Sequence, residues 1–368
     1  RYRELMAAYN NDEFKVWEEL KRPVKMTVFT YDGDKDTTLS PMDSLNYYKR
    51  ILNCGMMAMD PTNGHVKAWI GGINYKYFKF DHISQSKRQP GSTFKPFVYG
   101  AAIENEIATP CDLFVDEPVT FGEEDGLSGG TWTPQNSGGG YSYSSMRLRR
   151  AMGLSVNTIA AKLMKQLGPE KVAEFAYKCG IESPLREVPS LCLGASEVSL
   201  FEQVSGYSTM ANGGERIDPI VVLRITDKVG NVLKEYSPLM KAVIKPETAF
   251  MMTYLLQGAI QEPGGTAQGL NRSSIVTGNE IGAKTGTTSN NSDGWFMGVT
   301  QKIVAGVWVG GDDRSIHFRT TALGQGSKMA MPAYAKFMEK VYADQSLAVE
   351  GYRKMPFTKP ENFSFDFS

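Results

Sequence analysis

The sequence lacks most of the features from which function is usually read. No apolar run approaches the stretch of about 18 residues that spans a bilayer; residues 303–311 and 249–260, the longest candidates, suit a strand and a core helix. Neither sign of charge is in excess: 40 Lys and Arg face 40 Asp and Glu, so no long-range field would hold the chain on nucleic acid or an anionic membrane. Nucleic acid is therefore excluded as a partner. Cysteine is sparse, and Cys54, Cys111, Cys179 and Cys192 form no Cys-x-x-Cys pair, which argues against a redox motif or a zinc knuckle. No metal and no cofactor are expected, and buried free thiols are the simplest state of the four, with their pairing left open. Histidine is scarcer still: His65, His82 and His317 lie near no nucleophile-elbow pattern, so a charge-relay triad is disfavoured and turn or surface roles are expected. A phosphate loop is missing too, because Gly282-Ala283-Lys284-Thr285 has no Gly before its Lys and none upstream at the required spacing. The chain opens on Arg1 with no charged-then-apolar leader, so an excerpt of a longer protein is expected.

What is present is ordinary globular composition, 41% hydrophobic and 22% charged, with 37 Gly and 18 Pro for many turns. At roughly 150 residues per domain, one to three domains are expected. Residues 13–21 read as a charged helix, and residues 31–43 as a polar linker with little apolar periodicity. Residues 56–59 and 65–70 flank Asp60-Pro61-Thr62-Asn63-Gly64 as a β-hairpin. A buried helix follows Pro90-Gly91, and further helices are read at residues 146–152, 158–167, 171–179 and 246–261. Residues 221–226 and 232–236 form a second hairpin, and residues 281–287, 294–300 and 303–310 are three strands. Strands at both ends with helices between them predict an α+β fold with one sheet assembled from distant segments. Arg147, Arg149 and Arg150 read as a solvated helix face, and Asp312-Asp313 as a solvated turn.

The remaining chemistry is serine chemistry driven by lysine. Ser92 and Lys95 stand three apart at a helix start, so both side chains share one face and the hydroxyl is held beside the amine. A second Ser-x-x-Lys, Ser84 to Lys87, has no apolar helix behind it. Ser-x-Asn occurs at Ser44 to Asn46, Ser155 to Asn157 and Ser289 to Asn291, but the second alone sits in a short break between amphipathic helices. Lys284-Thr285-Gly286 occurs once, inside a strand. In the order Ser-x-x-Lys, Ser-x-Asn, Lys-Thr-Gly these are the signature of penicillin-binding proteins and serine β-lactamases.

Longer strings extend the similarity: Arg88-Gln89-Pro90-Gly91-Ser92-Thr93-Phe94-Lys95-Pro96-Phe97, Trp132-Thr133-Pro134-Gln135-Asn136, Lys284-Thr285-Gly286-Thr287-Thr288 and Asp293-Gly294-Trp295-Phe296. On these, residues 54 to about 340 resemble the transpeptidase domain of a class A penicillin-binding protein. The resemblance implies a penicillin-binding protein transpeptidase, serine β-lactamase-like fold: a five-stranded antiparallel sheet flanked by helices, with a helical lobe closing the cleft. It implies three parts, a connecting segment at residues 1–50, the transpeptidase domain at 51–345 and a C-terminal tail at 346–368. A glycosyltransferase region and a membrane anchor would precede them, on the extracytoplasmic (periplasmic) side of a bacterial inner membrane. The implied partners are peptidoglycan stem peptides ending in D-Ala-D-Ala and β-lactam antibiotics.

Carried over residue by residue, Ser92 is the nucleophile and Lys95 its base. To act so Lys95 must be neutral, with its pKa brought well below the ordinary lysine value of about 10.4 by desolvation and a nearby cation, Lys284. Ser155 passes a proton to the leaving amine and Asn157 holds the substrate amide. Lys284, Thr285 and Thr287 bind the terminal carboxylate, and Gly286 permits close approach to the strand. The backbone N–H groups of Ser92 and Thr287 would form the oxyanion hole. Trp132, Asn136 and Trp295 are divided between cleft-lining and structural roles. Glu197 would be the water-activating base if the acyl-enzyme were resolved by water, as in a β-lactamase or D,D-carboxypeptidase; its context predicts helix capping instead. A non-catalytic penicillin sensor is the remaining reading.

Overall fold

The computed structural model describes residues 2–361 and 363–367. Its centre is a five-stranded antiparallel sheet in the order Gly282–Thr287, Asp293–Val299, Val304–Gly310, Asn53–Met59, Val66–Ile70. Alternate residues of one strand serve two different cores, as a side-chain period of two requires. Met57 and Met59 face one cluster with Trp295, Met297 and Trp308, while Met56 and Ala58 face another with Phe296, Val307 and Tyr334. Both faces are covered, so Asp293–Val299 is buried along its whole length and shows no polar alternation.

The first face is covered by the helix Leu200–Ala211, whose Leu200 and Val204 lie where a side chain on Gly306 would stand. The second is covered by Met331–Ala343, whose Tyr334 ring occupies the space over Gly298. The helical lobe comprises Lys95–Glu104, Leu148–Leu154, Asn157–Leu167, Pro169–Cys179 and Pro246–Gln261. Phe97 ties this lobe to the segment before it and to Leu200–Ala211, fully buried with ring centroids 5.1 Å from Phe94 and 5.9 Å from Tyr207. Losing such a ring from a close-packed core costs about 3–5 kcal/mol.

The structure departs from the sequence expectations at several points. Residues 31–43 are not an irregular linker: Val24–Thr30 and Gly33–Leu39 pair as a hairpin, and Ser40 caps the helix Pro41–Lys49. Gly33–Leu39 buries neither face, so its sequence carries no alternation to detect. This N-terminal unit docks through Phe29, with centroids 5.7 Å from Tyr77 and 5.3 Å from Phe78, and through Asp34, 2.6 Å from Lys76 Nζ. The C-terminal segment is docked as well: Phe367 stacks on Tyr254 at 3.9 Å and the Tyr352 hydroxyl donates to Asp60 at 2.9 Å.

His82 lies in a turn as expected, but not on the surface; it is 4% exposed and stacks on Trp308 at 4.7 Å. Arg149 does not face solvent, because Leu148–Leu154 packs on Pro246–Gln261 and turns it inward. Its guanidinium lies 2.5 Å from Glu262 and over the Tyr254 ring. Glu197 does not cap a helix but pairs with Arg314. The cap of Leu200–Ala211 is Ser199, with Glu202 reaching back to it. Burial raises the Glu202 carboxyl, and hydrogen bonds from Lys87, Ser199 and Ser183 overcome this to hold it down at about 2. The four cysteines are free thiols, and burial pushes Cys54 up to about 11 and Cys192 up to about 12.

Candidate active site

Ser92 lies in a single 3-10 turn, Gly91–Phe94, that runs directly into the helix starting at Lys95. The turn is gripped from two sides by bare backbone. Gly91 has φ +55°, and a Cβ there would stand 2.7 Å from Thr287 O; a Cβ on Gly194 would stand 2.2 Å from Gly91 O. Arg88 fixes the approach to the turn, donating to Gly311 O at 2.7 Å and Asp312 O at 2.9 Å. Trp295 completes the grip from the sheet, donating from Nε1 to Gln89 O at 2.9 Å while itself 1% exposed, so its role is structural. Gly91→Ala is expected to leave a folded chain that reacts with penicillin about a hundredfold more slowly, the scale of an ångström-sized misplacement. Acylation rate and thermal unfolding, measured together, check this.

The second wall is the break between Leu148–Leu154 and Asn157–Leu167, where Ser155 takes the left-handed conformation, φ +59°. Lys95 Nζ donates to Ser155 O at 2.5 Å and to Asn157 Oδ1 at 2.6 Å, and lies 3.2 Å from Ser155 Oγ. From the sheet, Lys284 Nζ lies 2.8 Å from the same Oγ and 3.0 Å from Thr285 O. Two lysine amines thus meet at one hydroxyl. Both are fully buried. Burial lowers Lys95 to about 7, and it lowers Lys284 too, with the Lys95 charge adding to the effect. The arrangement therefore disfavours charging both amines at once. A neutral amine has two N–H groups and a lone pair; Ser155 O and Asn157 Oδ1 take the hydrogens of Lys95 and leave its lone pair for a hydroxyl.

The third wall is the edge strand Gly282–Thr287. Thr288 N donates to Asp293 O, so by the alternation of an antiparallel ladder the N–H of Thr287 points off the free edge, next to the Ser92 turn. Thr285 and Thr287 line the cleft. Lys284 alternates with them and its amine meets Ser155 Oγ, itself a cleft-lining group. A Cβ on Gly286 would stand 2.5 Å from Pro90 O, so this glycine lets the strand close on the nucleophile turn. The cleft measures about 570 Å³ and is lined by Ser92, Ser155, Asn157, Thr285, Thr287 and neighbouring polar groups, with no carboxylate among the described residues that line it. A larger concavity, about 720 Å³, lies around His82, Arg88, Asp312 and Arg314 and holds none of these motif residues.

Two of the competing motif copies are engaged elsewhere, while the third, Ser289 to Asn291, lines this same cleft. The Ser84 hydroxyl donates to Asp81 at 2.6 Å while Lys87 lies 2.7 Å from Glu202, so that serine and lysine have separate partners. Ser44 lies within Pro41–Lys49 and bonds to Pro41 O at 2.8 Å. Sequence reading left Asn136 undecided and missed Asp116, whose buried carboxylate accepts from Thr158 Oγ1 at 2.6 Å and Asn136 Nδ2 at 2.8 Å. These partners are 42 and 20 positions away, and no local pattern announces such a contact. Trp132 packs on Phe121, centroids 5.4 Å apart.

An antiparallel sheet flanked by helices, with a helical lobe over its edge strand and a Ser-x-x-Lys turn at the seam, is the architecture of the penicillin-recognising serine acyltransferases. Comparison with known proteins makes this specific. The chain belongs to the family described as penicillin binding protein transpeptidase domain, whose model matches residues 54–339; residues 1–52 match the penicillin-binding protein middle domain. It is 35% identical over 296 residues to penicillin-binding protein 2D of Bacillus subtilis, covering 78% of this chain and 41% of that protein. It is 32% identical over 294 residues to penicillin-binding protein 1A of Neisseria lactamica, covering 78% and 36%. The chain thus spans about two fifths of the length of these relatives. The structure of penicillin-binding protein 1A from Haemophilus influenzae superposes with a TM-score of 0.71 at 27% identity, covering 87% of this chain and 50% of that one. PonA1 from Mycobacterium tuberculosis, solved with penicillin V, shares the fold with a TM-score of 0.68 at 24% identity, covering 98% and 94%.

Proposed function

We propose that this chain is a D,D-transpeptidase that cross-links peptidoglycan stem peptides through an acyl-enzyme on Ser92. Ser92 Oγ attacks the carbonyl of the penultimate D-Ala, and its proton passes to neutral Lys95. The oxyanion develops between the N–H groups of Ser92 and Thr287; losing one such donor costs on the order of 3 kcal/mol. Ser155, touching both lysines, hands a proton to the departing D-Ala amine. An acceptor amine then attacks the ester, and the same groups run in reverse to form the cross-link. Asn157 holds the substrate amide, the hydroxyls of Thr285 and Thr287 hold the terminal carboxylate, and Lys284 supplies positive charge from beneath Ser155. β-Lactams enter as mimics of the D-Ala-D-Ala terminus. The setting is extracytoplasmic, with a glycosyltransferase region and a membrane anchor elsewhere in the parent protein; among the described residues no helix is long and apolar enough to cross a membrane.

The observation that carries this reading is the meeting of Lys95 and Lys284 at Ser155 Oγ, beside the Ser92 turn. The absence of a carboxylate from the cleft lining supports transfer to an amine over transfer to water. Incubation with a peptide ending in D-Ala-D-Ala is expected to release D-Ala and, with a D-amino acid added, to yield the exchanged peptide in excess of the hydrolysed one. Hydrolysis alone would make the chain a carboxypeptidase. Once acylated by nitrocefin, the chain is expected to release product over minutes to hours; turnover many times a second would make it a β-lactamase.

A further inference from the structure

The helix Asn157–Leu167 carries Val156 at its N-cap position and so has no side-chain cap of its own. The cap comes from another segment. Asn136 Oδ1 accepts from Asn157 N at 2.9 Å, with Thr158 N at 3.5 Å. Which way the Asn136 amide faces is settled by its other partner, since the Asp116 carboxylate can only accept and therefore takes Nδ2, at 2.8 Å. Burial raises the Asp116 carboxyl, but bonds from Thr158, Ser142 and Asn136 outweigh this and keep it ionised. The same logic fixes the next amide. Asn157 Nδ2 donates to Gln135 O at 2.6 Å, a pure acceptor, which leaves Oδ1 aimed at Lys95 Nζ, 2.6 Å away.

We propose that Asp116 and Asn136 are positioning residues for acylation: a cap supplied from a separate segment that holds the Ser155–Asn157 turn and thereby keeps a carbonyl oxygen on the amine of Lys95. The inference rests on Lys95 acting as the base. An acceptor on an amine favours its charged form, so removing it lowers the pH at which Lys95 gains its proton. The other titratable groups around Lys95 are Lys284 from the edge strand, the Cys192 thiol from the turn Pro189–Leu193, and Tyr99 one turn along its own helix.

The test is the rate constant of acylation by benzylpenicillin as a function of pH, for wild type, Asn136→Ala, Asp116→Ala and Asp116→Asn, with thermal unfolding in parallel. Asn136→Ala is expected to lower the plateau about a hundredfold. Its acid limb should move at least about half a pH unit below that of wild type. Asp116→Ala should behave the same way. Asp116→Asn, which keeps an acceptor oxygen for Asn136 Nδ2, should stay within about tenfold of wild type and keep its limb, and it leaves the question answerable should Asp116→Ala not fold. An unmoved or raised limb in Asn136→Ala, or a wild-type rate in either alanine variant, overturns the proposal. A wild type without an acid limb near neutrality, or one whose rate survives Lys95→Ala, instead overturns the reading of Lys95 on which it rests.

Discussion

Incubated with benzylpenicillin, the wild-type chain is expected to gain the mass of one whole penicillin molecule, because ring opening expels nothing, and Ser92→Ala is expected to gain none. The expectation is sharper than the motif alone makes it, since Ser155 Oγ touches both buried amines, 2.8 Å from Lys284 and 3.2 Å from Lys95. Ser155 nonetheless lacks what an acylated serine needs. Its hydroxyl is already committed to the lysines, whereas the Ser92 turn lies against the Thr287 backbone, where the proposed mechanism places the oxyanion. Ser155→Ala should therefore still label, slowly, at Ser92. Mass after digestion locates the adduct. An adduct on Ser155 would exchange the roles of the two serines, and one on Ser84 would refute the site, because Ser84 and Lys87 are bound to Asp81 and Glu202.

Lys95→Ala is expected to slow acylation by at least about a hundredfold, the lower range for loss of a general base, with the fold intact. Its pH dependence follows from burial. Because Lys95 is held down to about 7, the amine is neutral above that pH and charged below it. A charged amine has no lone pair, so acylation by wild type should be flat on the alkaline side and fall as pH drops below about 7, by about tenfold per unit. Stopped-flow measurement with a fluorescent penicillin checks both points. A rate in Lys95→Ala near that of wild type at neutral pH would remove Lys95 from the mechanism.

Much of this molecule could be read in advance because its strongest signals are local. The helix Pro246–Gln261 announces itself by a proline at its first position and a largely apolar stretch, and the strands Asp293–Val299 and Val304–Gly310 by short runs rich in aromatic residues and valine. The three motifs stand on the elements expected for them. What escaped was decided by partners distant in sequence. Nothing near Arg149 shows that Glu262 and Tyr254 will draw it inward, and nothing near His82 announces the Trp308 ring. Glu197 and Glu202 both precede or open an apolar helix, and only the placement of Ser199 decides which of them caps it. The carboxylate role of Lys284 comes from the resemblance, whereas its contact with Ser155 Oγ became visible only in the folded chain.

The strand order has a consequence for how the protein comes into being. Asn53–Met59, made early, lies between Val66–Ile70 and Val304–Gly310, and Asn53 bonds across 259 positions to Asp312. A chain emerging from its N-terminus can fold the Phe29 hairpin and the helices as they appear, but Asn53–Met59 has no second neighbour until nearly all the rest has been made. Pairings of such sequence separation form slowly and leave apolar strand edges open meanwhile. The Ser92 turn waits for the same moment, since the backbone of Thr287 that grips it arrives on the other end of the sheet. Reactivity toward penicillin is thus a late event in folding, and the rate at which labelling competence appears during refolding reports closure of the sheet.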